Sequence, residues 1–281
     1  MSSSPVKRVL CLHGWGSRPH VFACQLARVT SELYQVVGED AVELVWVQAP
    51  HKMWMGKMDV MRGFGGPYYG WFNAQTDEAL NEAIRYIDDM HPLDSFDAII
   101  GFSQGATLAL TIAAMRERNT LPTRRNPSTE SLGKRWGSKR SLRPRAFDFV
   151  LAICPIVTTW SPADVKAGEP WLSSTPTLAY AGTKDRYVTG ARETFDKFCR
   201  NASSKLHRLE HFEGAHHVPT QPEAIDDMVR FIQTSFSGLG LLKRPSNGSM
   251  ASFDSYSTGT YSVRSSDTGS SASTAPFSFD L

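Results

Sequence analysis

The stretch Gly101-Phe102-Ser103-Gln104-Gly105 decides how the rest of the chain reads. Before it stands the short apolar run Ala98–Gly101, which suits a buried strand. After it comes Gln104–Arg116, small and aliphatic, which suits a helix. A G-x-S-x-G pentapeptide between strand and helix exposes a serine hydroxyl on a sharp turn above a sheet, because the flanking glycines let the chain reverse tightly. With three fixed positions the pentapeptide alone recurs by chance, and a serine there can also serve only as a helix N-cap. Its context is what marks Ser103 as a nucleophile.

Working outward, apolar runs at Val6–Leu12, Val42–Val47, Phe147–Ile153, Pro176–Ala181 and Leu206–Phe212 also read as strands. Helical periodicity falls between them, at Val21–Val37, Asp77–Met90, Ala191–Asn201 and Glu223–Phe236. This alternation predicts an α/β fold: a mostly parallel central sheet with helices on both faces. Ligands of such sheets bind beyond the carboxyl ends of the strands, so the loops there are the ones to search.

A serine nucleophile needs a base, and the base needs an acid to orient it. After Pro176–Ala181 comes Gly182-Thr183-Lys184-Asp185; after Leu206–Phe212 comes Glu213-Gly214-Ala215-His216-His217. Asp185 is preferred as the acid over Asp164, in a long loop, and Asp196, inside a helix. His216 is preferred over His217 because Gly214-Ala215 lets a tight loop bring it down towards the serine. The first strand ends in His13-Gly14-Trp15-Gly16, where the Trp15 amide can point at a developing oxyanion. The amide of Gln104, next after the nucleophile, supplies a second donor. His13 reads as structural.

Composition narrows the class. The 281 residues are 41% hydrophobic and 21% charged, with a net charge of +2. That average conceals a division: residues 116–145 hold ten basic side chains against two acids (+8), leaving 20 basic and 26 acidic residues elsewhere (−6). No apolar run approaches the ~18 residues of a membrane span, and the N-terminus lacks the order of a signal peptide. Four scattered cysteines without a C-x-x-C pair suit a reducing compartment, so a cytoplasmic location is expected, with the nucleus as alternative. Residues 117–145 and a C-terminal tail, 241–281, are expected to be disordered. Within the tail, Ser and Thr fill 16 of the 37 positions from Pro245 to Leu281. Residues 1–240 are then one domain interrupted by a basic insertion, whose attachment to the end of the helix after Ser103 puts it opposite the active edge.

Taken together, Val9–Gly16, Gly70-Trp71-Phe72, Gly101–Gly105, Gly182–Asp185 and Gly214–Pro219 resemble the FSH family of serine hydrolases. These are small α/β-hydrolases that include ovarian-cancer-associated esterases and fungal polyketide-releasing thioesterases. The resemblance covers roughly residues 5–236 apart from the basic block. It implies ester or thioester hydrolysis by Ser103, Asp185 and His216 without cofactor or metal. Ala215, where a second glycine is common, the insertion and the tail depart from the family pattern.

The loop Ala49–Asn73 is dense in methionine and aromatic residues, and its Trp54, Trp71 and Phe72 are expected to wall an apolar acyl group. The loop Pro155–Ser174, with Trp160 and Trp171, forms the opposite wall. The expected substrate is a small-molecule ester or thioester. Other readings are an acyltransferase or a polyketide-type thioesterase on the same triad, and a non-catalytic scaffold that contacts polyanions through residues 116–145. The sequence leaves oligomeric state open.

Overall fold

A computed structural model describes residues 6–54, 66–122, 146–162, 165–166, 169–199 and 206–236. All of its elements belong to one unit, Met1–Arg244. Six strands form a wholly parallel sheet: β1 (Lys7–Leu12), β2 (Val42–Val47), β5 (Ala98–Phe102), β6 (Phe149–Ile153), β7 (Thr177–Gly182) and β8 (His207–Phe212), in the order β2-β1-β5-β6-β7-β8. The central strands β5, β6 and β7 are buried along their whole length, which accounts for their largely apolar sequences.

Successive strand residues feed opposite faces. Leu10, Leu12 and Ile99 join one core with α3 (Asp77–Met90), α4 (Gln104–Glu117) and α5 (Val188–Phe198). Val9, Cys11, Ile100 and Phe102 join the other, with α1 (Pro19–Gln25), α2 (Ala27–Val37) and α6 (Pro222–Ser235). Helix α4 is buried on every side from Gln104 to Arg116, which is why it is built of small and aliphatic residues instead of an amphipathic stripe.

At the amino edge of the sheet, charged groups tie the strand starts together. Lys7 Nζ lies 2.8 Å from Asp148 and 3.7 Å from Asp97, with its side chain and that of Asp148 buried. Arg116 donates to the carbonyls of Leu93 and Phe96 and stacks 3.9 Å over Phe147. The Glu117 carboxylate accepts from the amides of Ser173, Ser174 and Thr175. Burial alone would raise its pKa, but these donors outweigh burial and hold it below the ordinary value.

The expected strands and the helix after Ser103 match the structure closely. Three local expectations are corrected. Val21–Val37 is two helices, broken at Leu26 (φ −93°, ψ 3°). The loop Ala49–Asn73 contains an antiparallel pair, β3 (His51–Met53) with β4 (Tyr68–Gly70). Glu117 and Arg118 are anchored parts of the fold and not of an insertion, since Arg118 donates to the Pro170 carbonyl. Residues 123–145 of the basic insertion, Asp164 and the C-terminal tail lie outside the described residues.

Candidate active site

The register sets the site. Leu12 pairs with Gly101 and Phe102 with Ile153, while Gly182 pairs with Phe212, so the loops after β1, β5, β7 and β8 leave the sheet at one level. Ser103 occupies the turn between β5 and α4 with φ 54° and ψ −120°, a backbone that a residue with a Cβ adopts only under strain. Its amide donates to the Ile153 carbonyl (2.8 Å), and its carbonyl accepts from Ala106 (2.9 Å) and Thr107 (3.1 Å), which together hold the strained turn. Neither flanking glycine can carry a side chain. A Cβ on Gly101 would strike the Gly105 backbone, and one on Gly105 would strike the carbonyls of Leu12 and His13.

Ser103 Oγ lies 2.8 Å from His216 Nε2, and His216 Nδ1 lies 2.7 Å from Asp185 Oδ2. A carboxylate can only accept, so Nδ1 carries the proton and Nε2 faces the serine as an acceptor. The second oxygen of Asp185 accepts from the Tyr187 amide (2.8 Å). The acid loop is tied to the histidine loop by Thr183 N–H to the Phe212 carbonyl and Lys184 N–H to the Gly214 carbonyl, both at 2.9 Å. Phe102 and Tyr187 flank the imidazole with centroids 5.2 and 5.1 Å away, leaving its side chain 25% exposed. His217 turns aside onto Phe212 and bonds to the Val218 carbonyl. Asp196 is exposed on α5, away from this relay.

Among the described residues, neither the Trp15 nor the Gln104 amide donates to a protein acceptor. Gly14 packs beneath this space, where an added Cβ would come 3.2 Å from that of Ser103. His13 is structural as expected: its Nδ1 bonds to the Gly14 carbonyl and its Nε2 accepts from the Ala49 amide, with burial pulling its pKa down to about 4.

Two features escaped the sequence reading. Cys154, at the end of β6, has φ 49° and donates its thiol to the His217 carbonyl; its sulfur and ligand atoms of Asp185 and His216 all lie within 4.8 Å of one another. Burial and the charge of Asp185 push this thiol up to about 12, so it stays neutral beside the relay. The second feature is the Gln104 side chain, which grips the backbone of Trp71 and Phe72. Apolar periodicity marks Cys154 only as core, and nothing local to Gln104 announces a partner more than thirty residues away.

The expected aromatic walls divide. Trp54 is 92% exposed. Trp71 is fully buried, with its indole N–H donating to the His13 carbonyl (2.7 Å), so its side chain braces the loop after β1 and offers no wall. Phe72 lines a small cavity with Gln75, Thr76, Leu80, Thr158, Thr159 and Trp160. Trp171 packs edge-on against Phe198 at 4.8 Å and belongs to the core behind the site.

A serine–histidine–aspartate relay at the carboxyl edge of a parallel sheet, its members following along the chain as Ser103, Asp185 and His216, defines an α/β-hydrolase. The family model for the FSH1 serine hydrolases matches residues 1–228, and the chain belongs to that family. Curated relatives include an esterase from Didymella fabae, 26% identical over 78% of this chain and 86% of its own length. Another is the dihydromonacolin L-[lovastatin nonaketide synthase] thioesterase of Aspergillus terreus, 22% identical over 79% and 90%. The crystal structure of Zea mays acyl-protein thioesterase 2 shares the fold, with a TM-score of 0.52 and 16% identity over 83% of this chain and 95% of that one. The chain is thus a serine hydrolase of the α/β-hydrolase fold. Among the described residues no helix is long and apolar enough to cross a membrane.

Proposed function

We propose that this chain hydrolyses carboxylic esters or thioesters with an apolar, uncharged acyl group, using Ser103 as nucleophile, His216 as base and Asp185 as orienting acid. The continuous relay, 2.8 Å from Ser103 to His216 and 2.7 Å from His216 to Asp185, carries this reading. His216 takes the hydroxyl proton as Ser103 attacks the carbonyl carbon, and Asp185 stabilises the imidazolium. The carbonyl oxygen becomes negative and accepts from the amides of Trp15 and Gln104. Collapse of the tetrahedral centre expels the alcohol or thiol, which takes the proton from His216. Water, deprotonated by the same imidazole, then attacks the acyl-serine; the Oγ–acyl bond breaks, His216 returns the proton to Ser103 Oγ, and the acid is released. No step calls for a metal or cofactor.

Esterases and a thioesterase among the relatives support the substrate class. Phe72, on the small cavity, and the exposed Trp54 are the proposed acyl contacts. We further assign residues 1–240 to one catalytic domain with an appended tail, and place the protein in the cytoplasm or nucleus, where its buried thiols Cys11, Cys154 and Cys199 stay reduced. Contact of the basic block with polyanions belongs to this proposal as a secondary property.

Labelling of the whole protein with a fluorophosphonate tests the mechanism. Wild type is expected to label at Ser103 and Ser103→Ala not at all. Absent labelling of wild type, or equal labelling of the variant, would overturn it.

A further inference from the structure

The two amides assigned to the oxyanion stand on separate loops, one after β1 and one after β5, and their separation must hold for both to reach one oxygen. Residues 69–72 touch both loops. On the β1 side, Gly16 N–H donates to the Tyr69 carbonyl (2.9 Å) and Tyr69 N–H to the Ser17 carbonyl (3.0 Å). The buried Trp71 indole adds its bond to the His13 carbonyl (2.7 Å). On the β5 side the grip comes from a single side chain: Gln104 Oε1 accepts from the Trp71 amide and its Nε2 donates to the Phe72 carbonyl, both at 2.8 Å. Between these anchors the strap passes close to Trp15 at Gly70. A Cβ on Gly70 would come 3.0 Å from the Trp15 ring and 2.7 Å from Met53 Sδ.

We propose that Gln104 and Trp71 are positioning residues for the oxyanion hole: through the strap 69–72 they fix the distance between the Trp15 and Gln104 amides. Gln104 thus serves twice, offering its backbone N–H to the oxyanion while its carboxamide locks the opposite loop in place. The carboxamide is suited to this because it presents one acceptor and one donor side by side, matching an N–H and a C=O of adjacent residues as a strand neighbour would. Glutamate lacks the donor, and an aliphatic side chain lacks both. A polar group this buried (Gln104 is 4% exposed) must be satisfied, and here its partners lie on the element whose position matters. Oxyanion donors act because they are held in advance where charge will develop, so loosening the strap lowers transition-state stabilisation and leaves ground-state binding alone.

This proposal rests on the hydrolase reading, and its test separates the two. The full chain and its variants Gln104→Met, Gln104→Glu and Trp71→Phe are compared on p-nitrophenyl butyrate, with inhibition by a trifluoromethyl ketone of the same acyl length, whose adduct with Ser103 places an oxyanion in the hole. In Gln104→Met, which keeps the backbone N–H, kcat is expected to fall by about 30–100-fold with KM within twofold, and Ki for the ketone to rise by the same factor. Gln104→Glu is expected to fall at least as far, and Trp71→Phe by about tenfold. Wild-type kcat in Gln104→Met, or a loss of kcat without the matching rise in Ki, overturns the proposal. If Gln104→Met melts below the assay temperature, Trp71→Phe decides by the same paired readout. Failure of wild type to label with fluorophosphonate sinks the hydrolase reading itself; a labelled wild type with indifferent variants sinks only the strap.

Discussion

The two edges of the sheet are held together by different physics. At the carboxyl edge the backbone is strained and crowded: Ser103 and Cys154 have positive φ, and Gly101 and Gly105 sit where no Cβ fits. At the amino edge the tie-downs are charged side chains: Lys7 paired with Asp148, and Glu117 accepting from the amides of residues 173–175. The chemistry needs fixed donors and a serine held on a strained turn, which cost stability locally; the opposite edge supplies connections that the chemistry never touches. Mutations at the two edges should therefore separate activity from stability.

The largest effect belongs to the relay. Ser103→Ala and His216→Ala are each expected to lower kcat for a small ester by about 10⁴–10⁶-fold, with the double variant no worse than the poorer single one, because the residues act as a unit. Their melting temperatures should stay near wild type or rise. Steady-state kinetics with the double variant check this; additive losses would mean the two residues act in separate steps.

At the amino edge the signature inverts. Lys7→Met leaves the carboxylate of Asp148 buried without its 2.8 Å ammonium partner, an expected loss of about 3 kcal/mol and a fall in Tm of roughly 6–12 °C for a domain of this size. Below the new transition kcat should be unchanged within twofold. A tenfold loss of kcat in the folded variant would break the division between the edges.

How much of this was legible beforehand follows the same division. The strands themselves and the positions of Ser103, Asp185 and His216 could be read because each of these residues closely follows its strand, so local sequence determines where it emerges. The hairpin β3–β4 could not, since its strands are three residues each and its apolar residues read equally well as a ligand wall. Trp71 has the composition of a pocket residue and the environment of a core residue, a difference set by His13 and Gln104, 58 and 33 positions away. The break at Leu26 lacks a proline or glycine to announce it. What stayed hidden is tertiary: contacts at long separation that choose among locally equivalent roles.

His13, just beyond the end of β1, gives the carboxyl edge a pH dependence of its own. Buried and neutral, with its pKa pulled down from 6.5 to about 4, it resists a proton that the unfolded chain accepts first. The folded state therefore loses this part of its stability as pH falls from about 6.5 towards 4, and regains it above. His207 and His91, also lowered by burial, add to the slope in the same direction. His13→Gln, which keeps an acceptor towards the Ala49 amide, should flatten the dependence of Tm on pH across that window. An unchanged slope would mean that His13 does not titrate differently on folding.

The smallest effect is expected from the largest change in sequence. Helix α4 carries the chain 14 residues from Ser103, about 21 Å at 1.5 Å per residue, before the basic stretch begins. Thr120 N–H caps the Met115 carbonyl, and Arg116 stacks on Phe147, so the fold on either side of residues 123–145 is joined without them. Replacing residues 123–144 by a short Gly/Ser linker should leave kcat/KM for a small ester within twofold of wild type, while salt-sensitive retention on heparin disappears. The deletion keeps Glu117 and Arg118, whose loss would free the loop at residues 170–175 and confuse the result. A tenfold loss of activity in the folded deletion would show that the basic stretch reaches the carboxyl edge after all. Unchanged heparin retention would instead place the polyanion contact on the acidic body, where the charge balance argues against it.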